Sequence, residues 1–414
     1  MGSAYLDRPD IRAALDPKSV APGFEELLRR RDHGVVVESC ERRDTKYDPG
    51  KRCLVAYRLA CTSPARAPYE TFGSVEATAS HLRHRVLEDD ECLPGLARAL
   101  DADEMTKRCA SAAPETVTRA GPSLRVVPIS YKPERACVLG YDGGPERAPA
   151  RLFGKLFARP RPDLFDTMLR LDERRRKVPG MIGVPRPLAY WQDMDLLLTA
   201  GPEGAEDLHA LLFGHPRRRG SPPPSLRSAG EALALFHSEA GAPGPQRSRG
   251  DDFGSLHRYR RFFEHLVPFL TDSFDRAVGA LEELAGRQEE DERVASHGAL
   301  RTDQLLVGPG GLFAVDLDGY CWASPERDLA NLIAYLRWRA IRHPPEAALI
   351  ERSIHAFLDG YRNRRAVSGQ RLAFYTAVTG CRIAGRRLRS LSFDEWPLLG
   401  RLLDEGFAWG GSSG

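Results

Sequence analysis

The clearest alternation of apolar and polar positions lies between residues 296 and 336. Two short apolar runs, residues 305–307 and 312–315, flank the turn sequence at 308–311, which holds three glycines and a proline. Apolar runs on either side of such a turn predict a β-hairpin. A helical run begins at Asp328. The order strand, turn, strand, loop and helix places polar side chains on the loops at the mouth of the hairpin.

Three of these polar side chains carry oxygen ligands. Asp316 and Asp318 follow the second apolar run directly, and Gln304 precedes the first. Mg²⁺ in nucleotide sites favours a few carboxylate or carbonyl oxygens together with substrate phosphates. We therefore predict a metal site from Asp316, Gln304 and Asp318. An Asp-Leu-Asp triplet taken alone would favour the simpler alternative, a hairpin end with solvated acids.

The whole arrangement resembles the aminoglycoside phosphotransferase family, also called the choline kinase-like group. The family pattern is roughly His-Gly-Asp-Leu-His-Pro-x-Asn, then an Asp-x-Asp or Asp-x-Gly strand end, then an Asp-Leu-Ala helix. The resemblance covers about residues 120–365 and is strongest at 296–336. It implies an α+β, bilobal protein-kinase-like fold with a β-rich N-lobe and a helical C-lobe. It also implies ATP or another NTP, and Mg²⁺, as cofactors.

The residues of the catalytic segment match the family pattern unevenly. His297 and Gly298 match, and Gln304 replaces the usual asparagine while keeping an amide oxygen. Arg301 falls where related kinases have a basic residue near the transferred phosphate. The resemblance further makes Asp316 the principal metal ligand, Asp318 a possible second one, and Asp328 a structural residue that ties the next helix to the loop.

Ala299 occupies the position at which the family carries the aspartate that accepts the proton of the acceptor hydroxyl. A positioned general base contributes about 10²–10⁴-fold, and alanine has no group that can act as one. Three explanations are open: a deliberate replacement that traps substrate and nucleotide, a natural pseudokinase that serves as a nucleotide-binding scaffold, or replacement of the base by Asp303. We favour the first, because the other nucleotide-handling positions are acceptable, and predict an impaired enzyme.

Two segments are predicted to be strands that contact the nucleotide. Residues 151–157 resemble the strand that carries the nucleotide-binding lysine, here Lys155, and a lysine is informative in a chain with seven lysines and 53 arginines. Residues 195–201 resemble the interlobe hinge, with Leu198 and Ala200 as backbone contacts for the nucleotide. The carboxylate partner of Lys155 should lie on the following helix, and Asp172 and Glu173 are both candidates. An ordinary strand lysine is the alternative.

The front of the chain contains a second pattern. Residues 47–57 and 131–141 share Tyr, Pro, Cys and Tyr at one constant offset. Each segment predicts a strand, a proline-containing turn and a strand, so we infer an internal repeat in which only the second copy carries Lys155. Convergent hairpin composition is the alternative. The predicted domains are an extra N-terminal α+β unit that resembles a duplicated N-lobe, a kinase-like N-lobe and a helical C-lobe with the acceptor site, at residues 1–115, 116–200 and 201–414.

The composition of the chain limits which binding partners and which cellular location we expect. The net charge of +3 over 414 residues makes nucleic acid an improbable ligand. The sequence contains no apolar run long enough for a membrane span, and eight scattered cysteines without a Cys-x-x-Cys pair fit a reducing, cytoplasmic location. The predicted function is ATP-dependent phosphoryl transfer to a hydroxyl of a small molecule or of a Ser/Thr on a biosynthetic peptide.

The acceptor wall is predicted to be basic. In the family the C-terminal helices line the acceptor site, and residues 371–389 carry five arginines without an acid between them. Like charges disfavour binding, so such a wall argues against a polycationic aminoglycoside. The alternative is a helix whose arginines face water. Asp394 and Glu395 follow and are expected to neutralise part of the charge.

Overall fold

Strands dominate the first half of the chain and helices the second, in a computed structural model that describes residues 9–120, 123–143, 150–214, 226–287 and 292–408. The helices are α1 Pro9–Leu15, α2 Pro17–Arg29, α3 Leu96–Ala99, α4 Ala102–Ala112, α5 Pro114–Ala120, α6 Pro162–Lys177, α7 Leu208–Phe213, α8 Leu226–Glu239, α9 Arg249–Leu266, α10 Thr271–Gly286, α11 Glu326–Arg342, α12 Ala347–Arg362, α13 Gly369–Arg389 and α14 Leu399–Ala408. The strands are β1 Val36–Asp48, β2 Arg52–Ser63, β3 Arg66–Ala77, β4 Leu82–Val86, β5 Arg125–Lys132, β6 Ala136–Gly143, β7 Ala150–Phe157, β8 Arg186–Trp191, β9 Leu196–Ala200, β10 Glu206–Asp207, β11 Val294–Ser296, β12 Leu305–Gly308, β13 Gly311–Ala314 and β14 Cys321–Ala323. The predicted α+β class, with a β-rich N-terminal region and a helical C-terminal region, is confirmed.

The chain forms two compact units. The first comprises Met1–Phe165, Pro187–Gly201 and Arg389–Leu391, and the second comprises Asp166–Arg186, Pro202–Leu388 and Ser392–Gly414. The finer division at residues 115 and 200 stays a prediction. Among the described residues, no helix combines the length and the apolar character that crossing a bilayer requires.

The first unit begins with two helices on an antiparallel sheet of order β1-β2-β3-β4. Asp16 caps α2 by accepting a hydrogen bond from the backbone N–H of Lys18 at 3.2 Å, which satisfies one of the free N–H groups of the first turn. Phe24 is fully buried, and the hydroxyl of Tyr57 in β2 donates to the carbonyl oxygen of Ala14 at 2.6 Å. The apolar face of α2 therefore covers this sheet.

A second antiparallel sheet of order β5-β6-β7-β9-β8 completes the first unit. Lys155 in β7 is paired with Leu197 in β9, so the predicted nucleotide strand and the predicted hinge strand are neighbours. The hydroxyl of Tyr141 donates to the carbonyl oxygen of Ala99 at 3.1 Å and anchors the sheet to the helices α3–α5. Both predicted strands are therefore present, with their apolar residues in one core.

The β1–β2 and β5–β6 hairpins have the same register and the same turn. Tyr47 is paired with Cys53 in the first hairpin, and Tyr131 with Cys137 in the second. Each turn has proline at its second position and a left-handed residue at its third, with φ of 74° at Gly50 and 61° at Glu134. A left-handed third residue after proline is typical of a type II turn. These shared features support the inferred repeat.

The two sheets differ at the position of the lysine. Lys155 is paired with Val138 in the second sheet, whereas the corresponding residue of the first sheet, paired with Leu54, is Glu76. Glu76 accepts hydrogen bonds from Arg52 at 2.8 Å and from Arg85 at 3.2 Å. The first sheet therefore carries a paired acid where the second carries the candidate phosphate-binding lysine.

The second unit consists mainly of packed helices with two small sheets. Helices α8 and α12 approach closely because each has a glycine at the contact. A Cβ on Gly230 would lie 2.0 Å from the carbonyl oxygen of Phe357, and one on Gly360 would lie 2.0 Å from that of Arg227. The small sheets have the strand orders β10-β12-β13 and β11-β14, and β11 packs against α8. The hairpin predicted at 305–315 is confirmed as β12 and β13.

Candidate active site

The loop after β11 is held by the carboxylate of Asp328. Oδ2 of Asp328 accepts a hydrogen bond from the backbone N–H of His297 at 2.6 Å, and Oδ1 accepts one from Gly298 at 2.8 Å. Asp328 lies in the first turn of α11 and is fully buried. Hydrogen bonds from N–H groups to a buried carboxylate are strong. The predicted role of Asp328, tying the helix to the loop, is confirmed.

A buried histidine supports the same carboxylate. Nε2 of His237 lies 3.3 Å from Oδ2 of Asp328, and Nδ1 lies 2.7 Å from the hydroxyl of Tyr361. Burial acts to raise the pKa of Asp328, but the hydrogen bond and charge of His237 and the N–H of His297 outweigh it and lower the pKa below its ordinary value. His237 is therefore a packed positioning residue, as the sequence indicated.

Only glycine fits at position 298. Its φ is +80°, and a Cβ on Gly298 would lie 1.9 Å from the carbonyl oxygen of Gly319. Positive φ and close backbone approach both exclude side chains. The catalytic loop and the turn at Leu317–Gly319 therefore touch backbone to backbone.

The predicted metal ligands lie on segments joined by backbone hydrogen bonds. Nε2 of His297 lies 2.9 Å from the carbonyl oxygen of Val315, and the N–H of Val315 donates to the carbonyl oxygen of Gln304 at 2.9 Å. Asp316 follows in a left-handed conformation, with φ of 62° and ψ of 50°. Non-glycine residues in this conformation cluster at functional sites. The structure therefore joins the segments of His297, Gln304 and Asp316.

The donor set suits a magnesium ion that shares its coordination with phosphates. Gln304 is 6% exposed, and its side-chain Oε1 has no hydrogen-bond donor in the part of the chain that the structure describes. A buried acceptor without a donor is costly unless a cation or another group satisfies it. Asp318 is exposed on the turn at Leu317–Gly319. No group of three His, Cys, Asp or Glu suited to a metal occurs within the described residues. Metal binding by Asp316, Gln304 and Asp318 stays a prediction.

Arg301 and Asp303 form a pair. Nε of Arg301 lies 3.0 Å from Oδ1 of Asp303, and its guanidinium lies 5.1 Å from the centroid of the Tyr335 ring. The Asp303 side chain is 46% exposed. Its carboxylate is engaged by the neighbouring guanidinium, which argues against a role as the substitute base.

Ala299 lies between two fixed neighbours. Gly298 is held by Asp328, and the carbonyl oxygen of Leu300 accepts a hydrogen bond from Nδ2 of Asn331 at 2.8 Å. The Cβ of Ala299 lies 3.7 Å from the place where a Cβ on Gly319 would be, and the residue is partly exposed. The loop thus keeps a fixed backbone at 299, with a methyl group there.

The predicted nucleotide residues lie in the first unit. Nζ of Lys155 lies 5.4 Å from the ring centroid of Phe157. Leu198 is fully buried opposite Gly154, and Ala200 is half-buried opposite Leu152. The roles of Lys155, Leu198 and Ala200 in nucleotide binding stay predictions.

The acidic candidates for the partner of Lys155 have contacts on their own helix. Asp172 pairs with Arg176, and Glu173 pairs with Lys177 at 2.6 Å. Both are i,i+4 pairs near the end of α6. Which of the two acts on Lys155 stays open.

Sequence reasoning missed a basic pocket beside the loop. The lining residues are Arg247, Asp252, Gly298, Arg327, Asn331, Tyr375, Val378, Thr379 and Arg382. The sequence pattern indicates only the arginines of α13, because they lie close together along the chain. Arg247, Asp252 and Arg327 are far apart along the chain, and Asp328 beside Arg327 was the one local signal.

A family model described as the phosphotransferase enzyme family matches residues 148–367, more than half of the chain. No curated protein sequence matches the chain.

Several solved structures resemble the chain at low identity. A choline/ethanolamine kinase family protein from Mesorhizobium loti is 18% identical over 75% of this chain and 93% of its own, with a TM-score of 0.47. An amicoumacin kinase solved with AMP-PNP and Ca²⁺ is 14% identical over 76% and 96%, with a TM-score of 0.49. A glucosamine kinase is 15% identical over 92% and 93%, with a TM-score of 0.42.

The matched residues include the strand of Lys155, the loop after β11 and the segments of Gln304 and Asp316. It confirms the resemblance inferred from the sequence and the prediction of a phosphotransferase. The chain belongs to the phosphotransferase enzyme family.

Proposed function

We propose that the protein is an ATP-dependent phosphotransferase that acts on a hydroxyl of a small molecule, with its rate limited by the missing base at position 299. The observation that carries the proposal is the intact loop. Asp328 holds the backbone of His297 and Gly298, and the same loop is joined to the segments of Gln304 and Asp316. A phosphotransferase relies on positioning and charge stabilisation more than on covalent chemistry.

Each candidate residue has a distinct task. Lys155 would contact the phosphates of the nucleotide, with Leu198 and Ala200 beside its base. Gln304 and Asp316, with Asp318 as a second carboxylate, would hold Mg²⁺, which neutralises charge on the transferred phosphate when it is bound.

Arg301 would add positive charge near that phosphate. The acceptor oxygen attacks the γ-phosphorus, the bond to the β-phosphate oxygen breaks, and ADP leaves. The hydroxyl proton must leave the acceptor, and Ala299 offers no side-chain acceptor for it.

The size of the pocket beside the loop favours a small acceptor. Its wall includes Gly298, next to Ala299. The space open to the centre of a water-sized sphere is about 10 Å³, close to the about 10–15 Å³ that one water molecule requires, so the pocket suits one small group better than a peptide segment. A Ser/Thr of a biosynthetic peptide is the alternative acceptor. That Ala299 is a deliberate replacement stays a prediction.

Restoring the base tests the catalytic part of the proposal. Ala299→Asp should raise Mg-ATP-dependent phosphoryl transfer by about 10²–10⁴-fold, with little change in ATP affinity, because the base acts on the acceptor. Ala299→Asn is the matched control, since it has the same shape without a basic group. The assay follows ADP release with neutral, cationic and anionic hydroxyl compounds. If both variants stay as slow as the parent while Mg-ATP still binds, the protein is a pseudokinase that serves as a nucleotide-binding scaffold.

Nucleotide binding is tested separately. Mg-ATP should raise the melting temperature of the full chain, because a ligand that binds only the folded state at 100 times its Kd stabilises it by about 2.7 kcal/mol. Lys155→Met and Asp316→Asn should remove most of this shift. Asparagine is the better replacement at 316, since it tolerates the left-handed backbone. Asp303→Asn is the control. Absence of a magnesium-dependent shift with any nucleotide would refute the site.

A further inference from the structure

The pocket beside the catalytic loop has an excess of positive charge. Three guanidinium groups, of Arg247, Arg327 and Arg382, line it together with a single carboxylate, that of Asp252. The wall also includes Gly298, whose carbonyl oxygen accepts a hydrogen bond from Arg247 at 3.2 Å. The charge is therefore placed directly beside position 299, where the proposed reaction occurs.

Asp252 neutralises one of the three cations and orients two. It is 1% exposed, and its oxygens lie 2.9 Å from Arg247 and 2.5 Å from Arg327. The guanidinium of Arg327 also lies 4.7 Å from the ring centroid of Tyr375 and donates to the carbonyl oxygen of Ser248 at 2.8 Å. Two arginines are thus fixed by one acid, which leaves two positive charges in excess on the lining.

Arg382 differs from Arg371, Arg386 and Arg387 on the same helix, α13. Arg371 lies 3.4 Å from Glu326, Arg387 lies 3.0 Å from Glu395, and Arg386 donates to the hydroxyl of Tyr335. The expected neutralisation by Glu395 is therefore confirmed. Arg382 has neither an ion pair nor a hydrogen bond within the described ranges, although it is partly buried.

The surroundings of Arg382 disfavour its own charge. Burial, followed by the positive charges of Arg247 and Arg386, lowers the pKa of Arg382 to about 10, so it stays protonated at neutral pH. A buried charge without a partner is costly. An anion in the pocket would relieve this cost, and Thr379, 5% exposed on the same wall, offers a hydroxyl donor.

We propose that the pocket binds an oxyanion, a carboxylate or phosphate group carried by the acceptor itself, with Arg382 as its main contact. The claim that the anion belongs to the acceptor rests on the proposed function. The claim that the pocket binds an anion rests only on the residues of the pocket. The planar guanidinium matches carboxylate and phosphate oxygens with two parallel hydrogen bonds. Cationic acceptors such as choline or aminoglycosides are excluded by repulsion from the same charges.

Binding is tested on the full chain without nucleotide. Inorganic phosphate, D-glycerate and glycerol 3-phosphate are the oxyanion probes, with glycerol and choline as neutral and cationic comparisons at ionic strength matched with NaCl. The oxyanions should raise the melting temperature, and glycerol and choline should not. A larger shift with glycerol 3-phosphate indicates a phosphate, and a larger shift with glycerate indicates a carboxylate.

The role of Arg382 is tested with Arg382→Met, which keeps an unbranched apolar stem and removes the charge. We expect at least about tenfold weaker oxyanion binding, equal to about 1.4 kcal/mol, and a raised melting temperature without ligand, because an unpaired buried charge has been removed. Arg362→Met, at an exposed position of α12, removes the same charge and should leave binding unchanged. Arg382→Lys should bind with intermediate affinity, and it serves as the second variant if Arg382→Met does not fold.

Two results would overturn the anion site: oxyanions that shift the parent no more than NaCl, or full oxyanion binding by Arg382→Met. A lowered melting temperature of the Met variant with unchanged binding would assign Arg382 a structural role only. Since these measurements omit nucleotide, they fail independently of the Mg-ATP shift. Oxyanion binding without a Mg-ATP shift would refute the proposed function and leave the anion site intact.

Discussion

Replacement of Asp328 by asparagine should destabilise the second unit while leaving its shape almost unchanged. The carboxylate accepts N–H groups at 2.6 Å and 2.8 Å and lies 3.3 Å from His237, with no exposure to solvent. The amide keeps one acceptor oxygen but turns an NH₂ group towards a former donor. Hydrogen bonds to charged groups contribute about 1.5–3 kcal/mol each, and breaking a buried charged pair costs about 3–5 kcal/mol. We expect the free energy of unfolding of the second unit to fall by about 3–5 kcal/mol.

The assay is urea unfolding followed by hydrogen exchange of peptides from the second unit, since a chain with two compact units need not unfold in one two-state transition. The amides of His297 and Gly298 should lose protection in the variant. Asp359→Asn is the matched control: Asp359 forms an exposed ion pair with Arg227 at 3.1 Å, and such pairs contribute about 0–1 kcal/mol. If Asp328→Asn costs no more than this control, the carboxylate does not hold the loop.

The loss of stability caused by Asp328→Asn should become smaller at acidic pH. The pKa of Asp328 is lowered in the folded protein, because hydrogen bonding to His237 and His297 outweighs burial. Its carboxylate therefore stabilises the fold above about pH 3.9, the ordinary value for an unfolded aspartate. The contribution is lost as the pH falls through the lower folded-state pKa. The difference between parent and variant should thus shrink only under acidic conditions, and a difference that grows on acidification would contradict this sign.

Two further predictions concern the loop and the thiols. Gly298→Ala should abolish soluble folded protein or greatly lower its melting temperature, because the new Cβ would lie 1.9 Å from the Gly319 oxygen at a φ of +80°; an unchanged melting temperature would contradict the backbone contact. Six of the eight cysteines are buried, Cys92 is exposed, and burial raises the pKa of the half-buried Cys40 to about 12. A thiol reagent at pH 8 should therefore modify one residue per folded chain, and none after Cys92→Ser.

Local sequence patterns were enough to predict strands and turns. They could not predict contacts between residues that are far apart along the chain. The hairpin at 305–315 and the strand of Lys155 were predicted because apolar runs and turn residues act over a few positions. The role of Asp328 came from family resemblance, since spacing alone does not place a carboxylate under a loop 30 residues earlier. The pocket was missed because Arg247 and Arg382 meet only through the packing of separate helices and loops.

The ion-paired Glu76 indicates that the first copy of the repeat has a structural role. Arg52 binds Glu76 and also donates to both carboxylate oxygens of Glu134, at 2.9 Å and 2.7 Å, in the turn of the other copy. The two copies therefore use the matching position differently: the second sheet carries Lys155 there, and in the first sheet Glu76 orients Arg52, which binds Glu134 of the second copy. Deletion of the front copy to obtain a minimal enzyme would remove Arg52 and leave the carboxylate of Glu134 without this partner. Glu134 would therefore have to be replaced in the same step.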